Sequence, residues 1–261
     1  MNKRNYRREM EDIIRRSRQQ EEVPRLLLHA CCAPCSSACL EYLREFFRVT
    51  VFYYNPNITD RAEYESRRAE ELRLIREYNA QLARAAACAS QEEAETALRE
   101  AGMLSTPAAL PVDILEAPYD PERFLAMAAG MEEEPEGGAR CAGCYALRME
   151  ETARAAFAGG YDFFTTTLTI SPLKDADKLN AAGEAAAARI RSANPESGLR
   201  FLPSDFKKKD GYLRSIRLSQ QFGLYRQDYC GCEFSRSGAD NAHGIVRNAE
   251  HSEPGMPKHQ F

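Results

Sequence analysis

The sequence predicts an α/β fold built on a mostly parallel, doubly wound sheet. Short apolar runs rich in β-branched and aromatic residues alternate with longer stretches of helical pattern, which is the order expected of βαβ units. The chain has 261 residues and 44% hydrophobic composition, enough to bury a substantial core. We expect one α/β domain over residues 23–235, a polar N-terminal extension over residues 1–22 and a weakly ordered tail over residues 236–261.

The elements of the first half follow from local composition. The apolar run at 23–30 ends in small residues and is followed by a helical pattern at 36–47, which predicts a strand, a loop and a helix. The β-branched and aromatic run at 49–54 stops at Asn55-Pro56-Asn57 and reads as a buried strand ending in a turn. The Glu/Arg/Ala-rich stretch at 61–98 predicts one long helix with a solvated face.

The second half continues the alternation and closes with a helical, cysteine-containing C-terminal part. The remaining elements are strands at 111–117, 161–170 and 199–202, helices at 121–130 and from Ser171 and Pro172 to about 193, and an acidic loop at 131–138. The sequence shows no internal repeat.

Charge and hydropathy restrict the class of protein. The 35 Lys and Arg residues against 39 Asp and Glu give a net charge of −4, so any site for a polyanion must be a local patch. No apolar stretch approaches the roughly 18 residues of a membrane span, and the N-terminus is charged throughout. We therefore expect a cytoplasmic protein with no membrane segment.

Nine cysteines dominate the chemistry that the sequence offers. In a reducing compartment, clustered cysteines more often bind metal or carry redox chemistry than form structural disulfides. They form three groups and one isolated residue: Cys31, Cys32, Cys35 and Cys39; Cys141 and Cys144; Cys230 and Cys232; and Cys88.

The first group follows the first predicted strand, where ligands bind in parallel α/β folds. Cys31 and Cys32 are adjacent, so their Cα atoms are about 3.8 Å apart, closer than the roughly 4.4–6.8 Å of ordinary disulfides. A helix that begins here, with Pro34 in its first turn, presents the positive end of its dipole and favours thiolates. Two thiolates at this point are better explained as metal ligands.

The second group is a CxxC pair, Cys141 and Cys144, whose spacing lets two thiolates bind one centre. CxxC alone is compatible with zinc, an iron–sulfur cluster or a redox dithiol. Together with Cys31 and Cys32 the pair offers four thiolates, enough for a closed zinc site or a [4Fe-4S] cluster. The vicinal pair makes structural zinc the weaker alternative.

The third group is Cys230-Gly231-Cys232, whose disulfide would close a small strained ring. Strained disulfides are easily reduced, which suits a catalytic two-electron couple; two further metal ligands are the alternative. Cys39 and Cys88 are expected to be buried small hydrophobes. The role of Cys35 stays open.

Four ordered motifs resemble the epoxyqueuosine reductase family that works without cobalamin, called QueH. The motifs are HACCAPCSS at 29–37, CAGCYALR at 141–148, FFTTTLTISPLKD at 163–175 and FKKKDGYLRSIRLSQQFGLYRQDYCGCEFS at 206–235. The resemblance spans roughly residues 26–235. It implies reduction of the epoxycyclopentane of epoxyqueuosine to the cyclopentene of queuosine, at the wobble position of tRNA with a GUN anticodon.

The resemblance also implies a fold and a set of site residues. The fold is related to nucleotide-binding, HUP-like α/β domains. The implied [4Fe-4S] ligands are Cys31, Cys32, Cys141 and Cys144, and the implied redox-active pair is Cys230 and Cys232. An additional iron or other metal ion beside the cluster is compatible with the family, with Cys35 or a CGC cysteine as candidate ligands.

Electrons must come from outside the chain, from a donor that the sequence does not identify. The sequence contains no GxGxxG loop for a nicotinamide or flavin. It also has no glycine from Cys31 to Tyr42, which argues against an ATP-binding phosphate loop after the first strand.

A basic segment at 200–226 is the strongest candidate for contact with tRNA. It carries seven basic and two acidic residues, a local charge of +5, and its aromatic residues Phe206, Tyr212, Phe222 and Tyr225 offer rings for stacking on bases. A solvated helix face with aromatic core contacts is the alternative. The candidate substrate-binding residues are Lys174, Lys207, Lys208 and Arg214.

Lys174 is a candidate because a helix that starts at Ser171 and Pro172 would place it in the first turn, where the dipole disfavours a cation. Asp175 and Asp177 offer a purely structural alternative, because they would offset the charge. For the proton donor, His29, Tyr145 and Asp205 remain equal candidates. A zinc-bound, non-catalytic tRNA-binding module and a thiol-disulfide oxidoreductase remain the alternative functions.

Overall fold

The strands predicted from the sequence form one parallel sheet in the computed structural model, which describes residues 4–235. The strands are β1 Arg25–His29, β2 Arg48–Tyr53, β3 Asp113–Glu116, β4 Phe163–Thr166 and β5 Arg200–Phe201. The helices are α1 Tyr6–Gln19, α2 Ala33–Leu43, α3 Arg61–Ala86, α4 Gln91–Glu100, α5 Pro121–Ala128, α6 Ala139–Ala158, α7 Ala176–Ala193 and α8 Gly211–Gln221, with a 3-10 helix at Thr167–Ile170.

The strand order, β3-β2-β1-β4-β5, confirms the predicted doubly wound architecture. Leu27 of β1 lies opposite Thr50 of β2 on one side and Phe164 of β4 on the other, and every pairing is parallel. The order reverses between β1 and β4. In sheets of this kind ligands bind at that point, outside the carboxyl ends of the strands.

Both faces of the sheet are buried. Alternate residues of β1 point to opposite faces, so Leu26 and Leu28 join one core and Leu27 joins the other. Helix α2 packs on the first face, and α6 supplies Met149 to the second. Each leucine of this strand is fully buried, which stabilises the fold by about 1.5–3 kcal/mol per side chain.

The helices between β2 and β4 differ from the prediction in two places. The stretch at 61–98 is not one helix but two, because the side chain of Ser90 caps α4 by accepting a hydrogen bond from the backbone N–H of Glu93. Helix α6, which carries Cys141 and Cys144, was not predicted from the sequence.

The predicted strand at 161–170 ends early. Its last residue, Thr166, accepts a hydrogen bond at 3.1 Å from the backbone N–H of Leu168 and so caps a 3-10 helix instead of extending the ladder. The chain therefore turns away from the sheet at the point where its order reverses.

The predicted start of helix α7 is wrong. Asp175, not Ser171, caps this helix by accepting hydrogen bonds from the backbone N–H groups of Asp177 and Lys178. Lys174 consequently lies in the loop before the helix, outside its first turn, so the dipole argument for its role does not apply.

The N-terminal segment contributes to the core. Met10 of α1 is fully buried, and Ile14 one turn later joins the same apolar cluster as Leu26 and Leu28. The boundaries at residues 22 and 235 remain predictions, and the predicted tail at 236–261 lies outside the described residues. Among the described helices, none combines the length and apolar character that crossing a bilayer requires.

Candidate active site

Three cysteine segments that are distant in sequence meet at the carboxyl edge of β1 and β4. Cys31 and Cys32 follow β1 directly, Cys141 and Cys144 lie in the first turns of α6, and the CGC segment follows α8. The sheet order brings the first segment to the edge predicted from the sequence.

The first segment presents three thiols at the start of α2. Cys32 is the N-cap residue of this helix and Pro34 lies in its first turn, as predicted. The sulfurs of Cys31, Cys32 and Cys35 lie within 4.8 Å of one another. Thiolates bound to a tetrahedral metal by bonds of about 2.3 Å lie about 3.8 Å apart, so this group is suited to a metal. Cys35, whose role the sequence leaves open, is its third member.

Hydrogen bonding divides the charge among these thiols. Cys32 and Cys35 donate to the sulfur of Cys31 and hold its pKa well below the usual range, while the same bonds raise the pKa values of Cys32 and Cys35. The Sγ atoms of Cys31 and Cys32 are 3.6 Å apart. Cys31 is therefore the thiolate of the group, ready to bind a cation.

The CxxC pair of α6 divides between two neighbouring groups of side chains. Cys141 packs against the buried cluster that contains Cys31 and Cys32, and its sulfur accepts a hydrogen bond at 3.2 Å from the backbone N–H of Gly137. Cys144 is buried with Cys232 in the adjoining cluster. The α6 pair thus links the vicinal cysteines to the CGC segment.

The backbone of the CGC segment is fixed from two sides. The side chain of Asn57 donates to the carbonyl of Cys230 at 3.1 Å, and Arg67 donates to the same carbonyl at 3.4 Å. Gly231 has a φ of +101°, and a Cβ there would lie 2.7 Å from Ile58. Only glycine fits this turn without strain.

Cys230 and Cys232 are free thiols here, as are the other seven cysteines, so the predicted disulfide is not observed. The pKa of Cys230 is lowered, first by a hydrogen bond from Cys232 and further by the nearby ammonium of Lys174. The pKa of Cys232, the donor, is raised. The pair therefore consists of one thiolate and one thiol, the state in which a dithiol reacts.

A cleft of about 460 Å³, called the sulfur cleft below, opens onto the first and third cysteine segments. Cys31, Cys35 and Cys230 line it together with Arg148 and Lys174. A second cleft, of about 580 Å³, shares the segment 172–174 with the first and is lined by four basic residues and by Asp175, Asp177 and Asp205. Its basic residues are Arg4, Lys174, Lys207 and Lys208.

The four candidate substrate-binding residues have different surroundings. Arg214 forms two short hydrogen bonds to the carboxylate of Glu41, at 2.7 and 2.6 Å, and Lys207 pairs with Asp205 at 2.9 Å. Within residues 4–235, neither the half-buried ammonium of Lys174 nor the exposed one of Lys208 has an ion pair or hydrogen bond. These two cations remain available to a ligand.

The aromatic residues of the basic segment also divide into two kinds. Phe206 is buried, and Phe222 packs edge-on against Tyr78, so neither ring is free to stack on a base. Tyr212 lines the sulfur cleft and Tyr225 is 43% exposed, which leaves these two rings accessible.

The proton-donor candidates are also distinguished by their surroundings. His29 is fully buried, and its pKa falls to about 3 because of burial and the neighbouring charge of Arg148, so it is neutral. Asp205 is occupied by its ion pair with Lys207. Tyr145 lies in the same buried cluster as Cys31 and Cys32, and burial raises its pKa to about 12, so its hydroxyl keeps its proton.

Sequence reasoning missed several buried polar residues of the site. Arg148 lies one helical turn after Cys144, Asn55 begins the turn after β2, and Arg67 and Glu71 lie one turn apart on α3. The i,i+4 spacing of Cys144 and Arg148 is the one signal that the sequence contained. Arg67 and Glu71 were missed because the Glu/Arg-rich sequence of α3 predicts a solvent-exposed helix face, whereas both side chains are buried.

Comparison with known proteins identifies the family of this chain. The family model described as Epoxyqueuosine reductase QueH matches residues 26–93 and 87–238. A protein of that name from Staphylococcus epidermidis is 34% identical over 88% of this chain and 84% of its own length, and one from Streptococcus pyogenes is 34% identical over 88% and 78%. One from Thermotoga maritima is 27% identical over 80% and 89%. The chain belongs to the epoxyqueuosine reductase QueH family of oxidoreductases.

Proposed function

We propose that this protein reduces the epoxide of epoxyqueuosine, at the wobble position of tRNA with a GUN anticodon, to the alkene of queuosine. The relatives carry the name of that activity. The observation that carries the proposal is the meeting of three cysteine segments at one edge of the sheet, where Cys31, Cys35 and Cys230 line one cleft. Deoxygenation of an epoxide needs two electrons, which is what one dithiol supplies.

We propose Cys31, Cys32, Cys141 and Cys144 as the ligands of a [4Fe-4S] cluster. The sulfur donor set supports this, since thiolates are the ligands that such clusters take. Cys31 and Cys32 lie at the start of α2 and Cys141 lies in the first turn of α6, where helix N-termini favour negative charge. When bound, such a centre carries single electrons and offers a Lewis acid; Cys35 is the thiol left for an adjacent metal ion.

The dithiol accounts for the electrons of the reaction and for one of its protons. As their S–S bond forms, Cys230 and Cys232 together give up two electrons and Cys232 gives up its proton; the second proton comes from solvent, to which Cys230 has already lost its own. The epoxide takes up two electrons and two protons, its two C–O bonds break, a C=C bond forms and the oxygen leaves as water. An external reductant then cleaves the disulfide and restores the dithiol. The depressed pKa of Cys230 keeps one sulfur in the reactive thiolate form.

The free cations would position the substrate. Lys174 lies where the two clefts meet, so its ammonium is available to the reacting nucleotide in the sulfur cleft. Lys208 lines the second cleft and is exposed, which suits a backbone phosphate of the anticodon loop. Lys207 and Arg214 shape the same surface through their ion pairs with Asp205 and Glu41.

The proposal is tested with anaerobically purified, reduced protein and tRNA that carries epoxyqueuosine, followed by nucleoside analysis. Queuosine should form in at least a single turnover, and the protein should contain iron. An iron-loaded sample that yields no queuosine contradicts the function. A colourless protein that holds zinc and still binds tRNA indicates the non-catalytic module instead.

Cys230→Ser separates the dithiol from the metal ligands. We expect turnover to be lost while iron content stays near that of the unmodified protein. Cys88→Ser is the matched control, because Cys88 packs against the main core away from the cleft and should leave both quantities unchanged. Loss of iron in Cys230→Ser would make Cys230 a ligand.

A further inference from the structure

Arg148 is a buried arginine at the centre of the cysteine groups, and sequence reasoning assigned it no role. Its side chain is 3% exposed. Its Nε donates to Nε2 of His29 at 3.1 Å, and one terminal nitrogen donates to the side-chain oxygen of Asn55 at 2.7 Å. The other terminal nitrogen approaches the sulfur of Cys144 at 4.0 Å.

These partners come from three elements that the site must hold together. His29 ends β1 two residues before Cys31, Asn55 follows β2, and Cys144 lies on α6. The side chain of Asn55 also donates to the carbonyl of Ala30 at 2.8 Å. One planar guanidinium therefore joins the vicinal cysteine loop to the CxxC helix, and its rigid geometry suits that role.

The imidazole of His29 connects Arg148 to further residues at the strand ends. Its Nε2 lies 3.1 Å from both Nε of Arg148 and the carbonyl oxygen of Tyr54, and its Nδ1 lies 2.9 Å from the hydroxyl oxygen of Thr166 at the end of β4. Thr166 belongs to the strand on the other side of the topological reversal. The hydrogen-bond network thus joins α6 to residues at or just after the ends of β1, β2 and β4.

The charge of Arg148 is not matched by a carboxylate within residues 4–235. Its contacts are an imidazole, an amide and a thiol. Arg67, which is equally buried, pairs with Glu63 at 2.7 Å. A buried cation is costly unless a counter-charge lies close. The sulfurs of Cys144, Cys31 and Cys230 are the neighbouring groups that can carry such a counter-charge.

We propose that Arg148 is a positioning residue that serves the thiolate-bound centre in two ways. Its hydrogen bonds fix the two cysteine segments relative to each other, and its fixed positive charge raises the reduction potential of the centre by stabilising the more negative, reduced form. The inference rests on the proposed function, since it concerns the cluster proposed there. Charge and hydrogen bonding around a cluster are the means by which a protein sets its potential.

Two substitutions separate these contributions. Arg148→Met keeps much of the side-chain volume and removes both the charge and the hydrogen bonds. Arg148→Lys keeps the charge and loses the planar arrangement of N–H donors. Arg44→Lys is the matched control, because Arg44 is equally buried but donates to Ser105 and to the carbonyl of Tyr78, in the core away from the cleft.

Two quantities are measured on the full-length protein: the iron content per chain and the midpoint potential of the bound centre. The midpoint potential is obtained from the electron paramagnetic resonance signal recorded during a redox titration. At the potential where half the unmodified protein is reduced, Arg148→Met should show a ratio of reduced to oxidised centre lowered about tenfold, which is 59 mV for one electron. Arg148→Lys should stay close to the unmodified potential but retain less iron.

A midpoint potential in Arg148→Met equal to that of the unmodified protein and of Arg44→Lys, at equal iron content, would overturn the inference and leave the proposed function intact. Absence of any iron–sulfur centre in the unmodified protein would overturn both. If Arg148→Met fails to hold iron, Arg148→Lys is compared with Arg44→Lys instead. Equal midpoint potentials of these two variants, with iron lower only in Arg148→Lys, support the inference. A midpoint potential of Arg148→Lys about 59 mV below that of Arg44→Lys contradicts it.

Discussion

At the scale of single residues, the site combines groups whose ordinary protonation states are changed by burial. Glu71 is fully buried on α3, and burial raises its pKa to about 8. The hydroxyl of Ser36 lies 2.9 Å from its carboxyl group and 3.1 Å from the carbonyl of Cys32. One hydroxyl proton serves only one acceptor, so a protonated carboxyl that donates to Ser36 satisfies both contacts.

This arrangement predicts a pH-dependent stability that Glu71→Gln removes. The folded protein keeps the Glu71 proton up to about pH 8, whereas the unfolded chain loses it near the usual value of 4.5. Between these values the folded state binds more protons, so the free energy of unfolding falls by about 1.4 kcal/mol per pH unit as the pH rises. Urea unfolding at pH 5, 6.5 and 8 measures the slope.

The Gln variant should have a flatter slope across this window, with its largest relative gain at pH 8. Glu100→Gln, at an exposed position on α4, is the control and should keep the slope of the unmodified protein. Parallel slopes for all three proteins would show that Glu71 is ionised in the folded state.

The lysine run at 207–209 allows a second prediction at this scale. Lys208→Gln should weaken tRNA binding and reduce the slope of log affinity against log salt by about one, the effect of one lost phosphate contact. Lys209→Gln is the matched control, because Lys209 pairs with Glu11 at 2.7 Å. Equal effects of the two substitutions would place the RNA elsewhere. Binding is measured by titration at several salt concentrations.

Which lysines are free was not visible from the sequence. The segment at 200–226 has a local charge of +5, but two acidic residues distant in sequence, Glu41 and Glu11, pair with Arg214 and Lys209. Ion pairs between distant segments depend on the tertiary arrangement. The cysteine groups could be predicted because their members lie close together in sequence. The hydrogen bonds of the Arg148 guanidinium could not, because its partners His29 and Asn55 are distant in sequence.

At the scale of elements, the prediction succeeded where the hydrophobic pattern was strong. β1 and β2 are runs of apolar, β-branched and aromatic residues, and both lie within one or two residues of the predicted ends. Helix α6 was missed because it starts after two glycines with no side-chain cap, and its first turns carry the CxxC pair. The first turn of α6 contains no acidic residue, and its N-cap, Gly138, has no side chain to mark the start of the helix.

The packing of α7 on the sheet gives an element-scale prediction. A Cβ at Gly183 would lie 2.2 Å from the ring of Phe201 on β5. Gly183→Ala should therefore destabilise the fold by about 1–3 kcal/mol, although alanine is the better helix former. Gly198→Ala, where nothing lies within 4 Å of the added Cβ, is the control and should change stability little. Thermal unfolding compares them, and a stabilised Gly183→Ala protein would contradict the packing.

At the scale of the whole molecule, the site joins segments that span most of the chain. Because a ligand that binds only the folded state stabilises it, loading the centre should raise the unfolding temperature relative to metal-free protein. Hydrogen exchange should slow at 31–35, at 139–145 and at 229–232 together. Slowing confined to the first segment would mean that the metal binds Cys31, Cys32 and Cys35 alone.

The spread of these segments also has a consequence during synthesis. Cys232 is encoded some 200 residues after Cys31. At about 5–20 residues per second, the vicinal thiols leave the ribosome roughly 10 to 40 s before the CGC pair exists. Throughout that interval the vicinal thiols are without the CGC pair, so the proposed centre and its dithiol can be assembled together only after most of the chain has been translated.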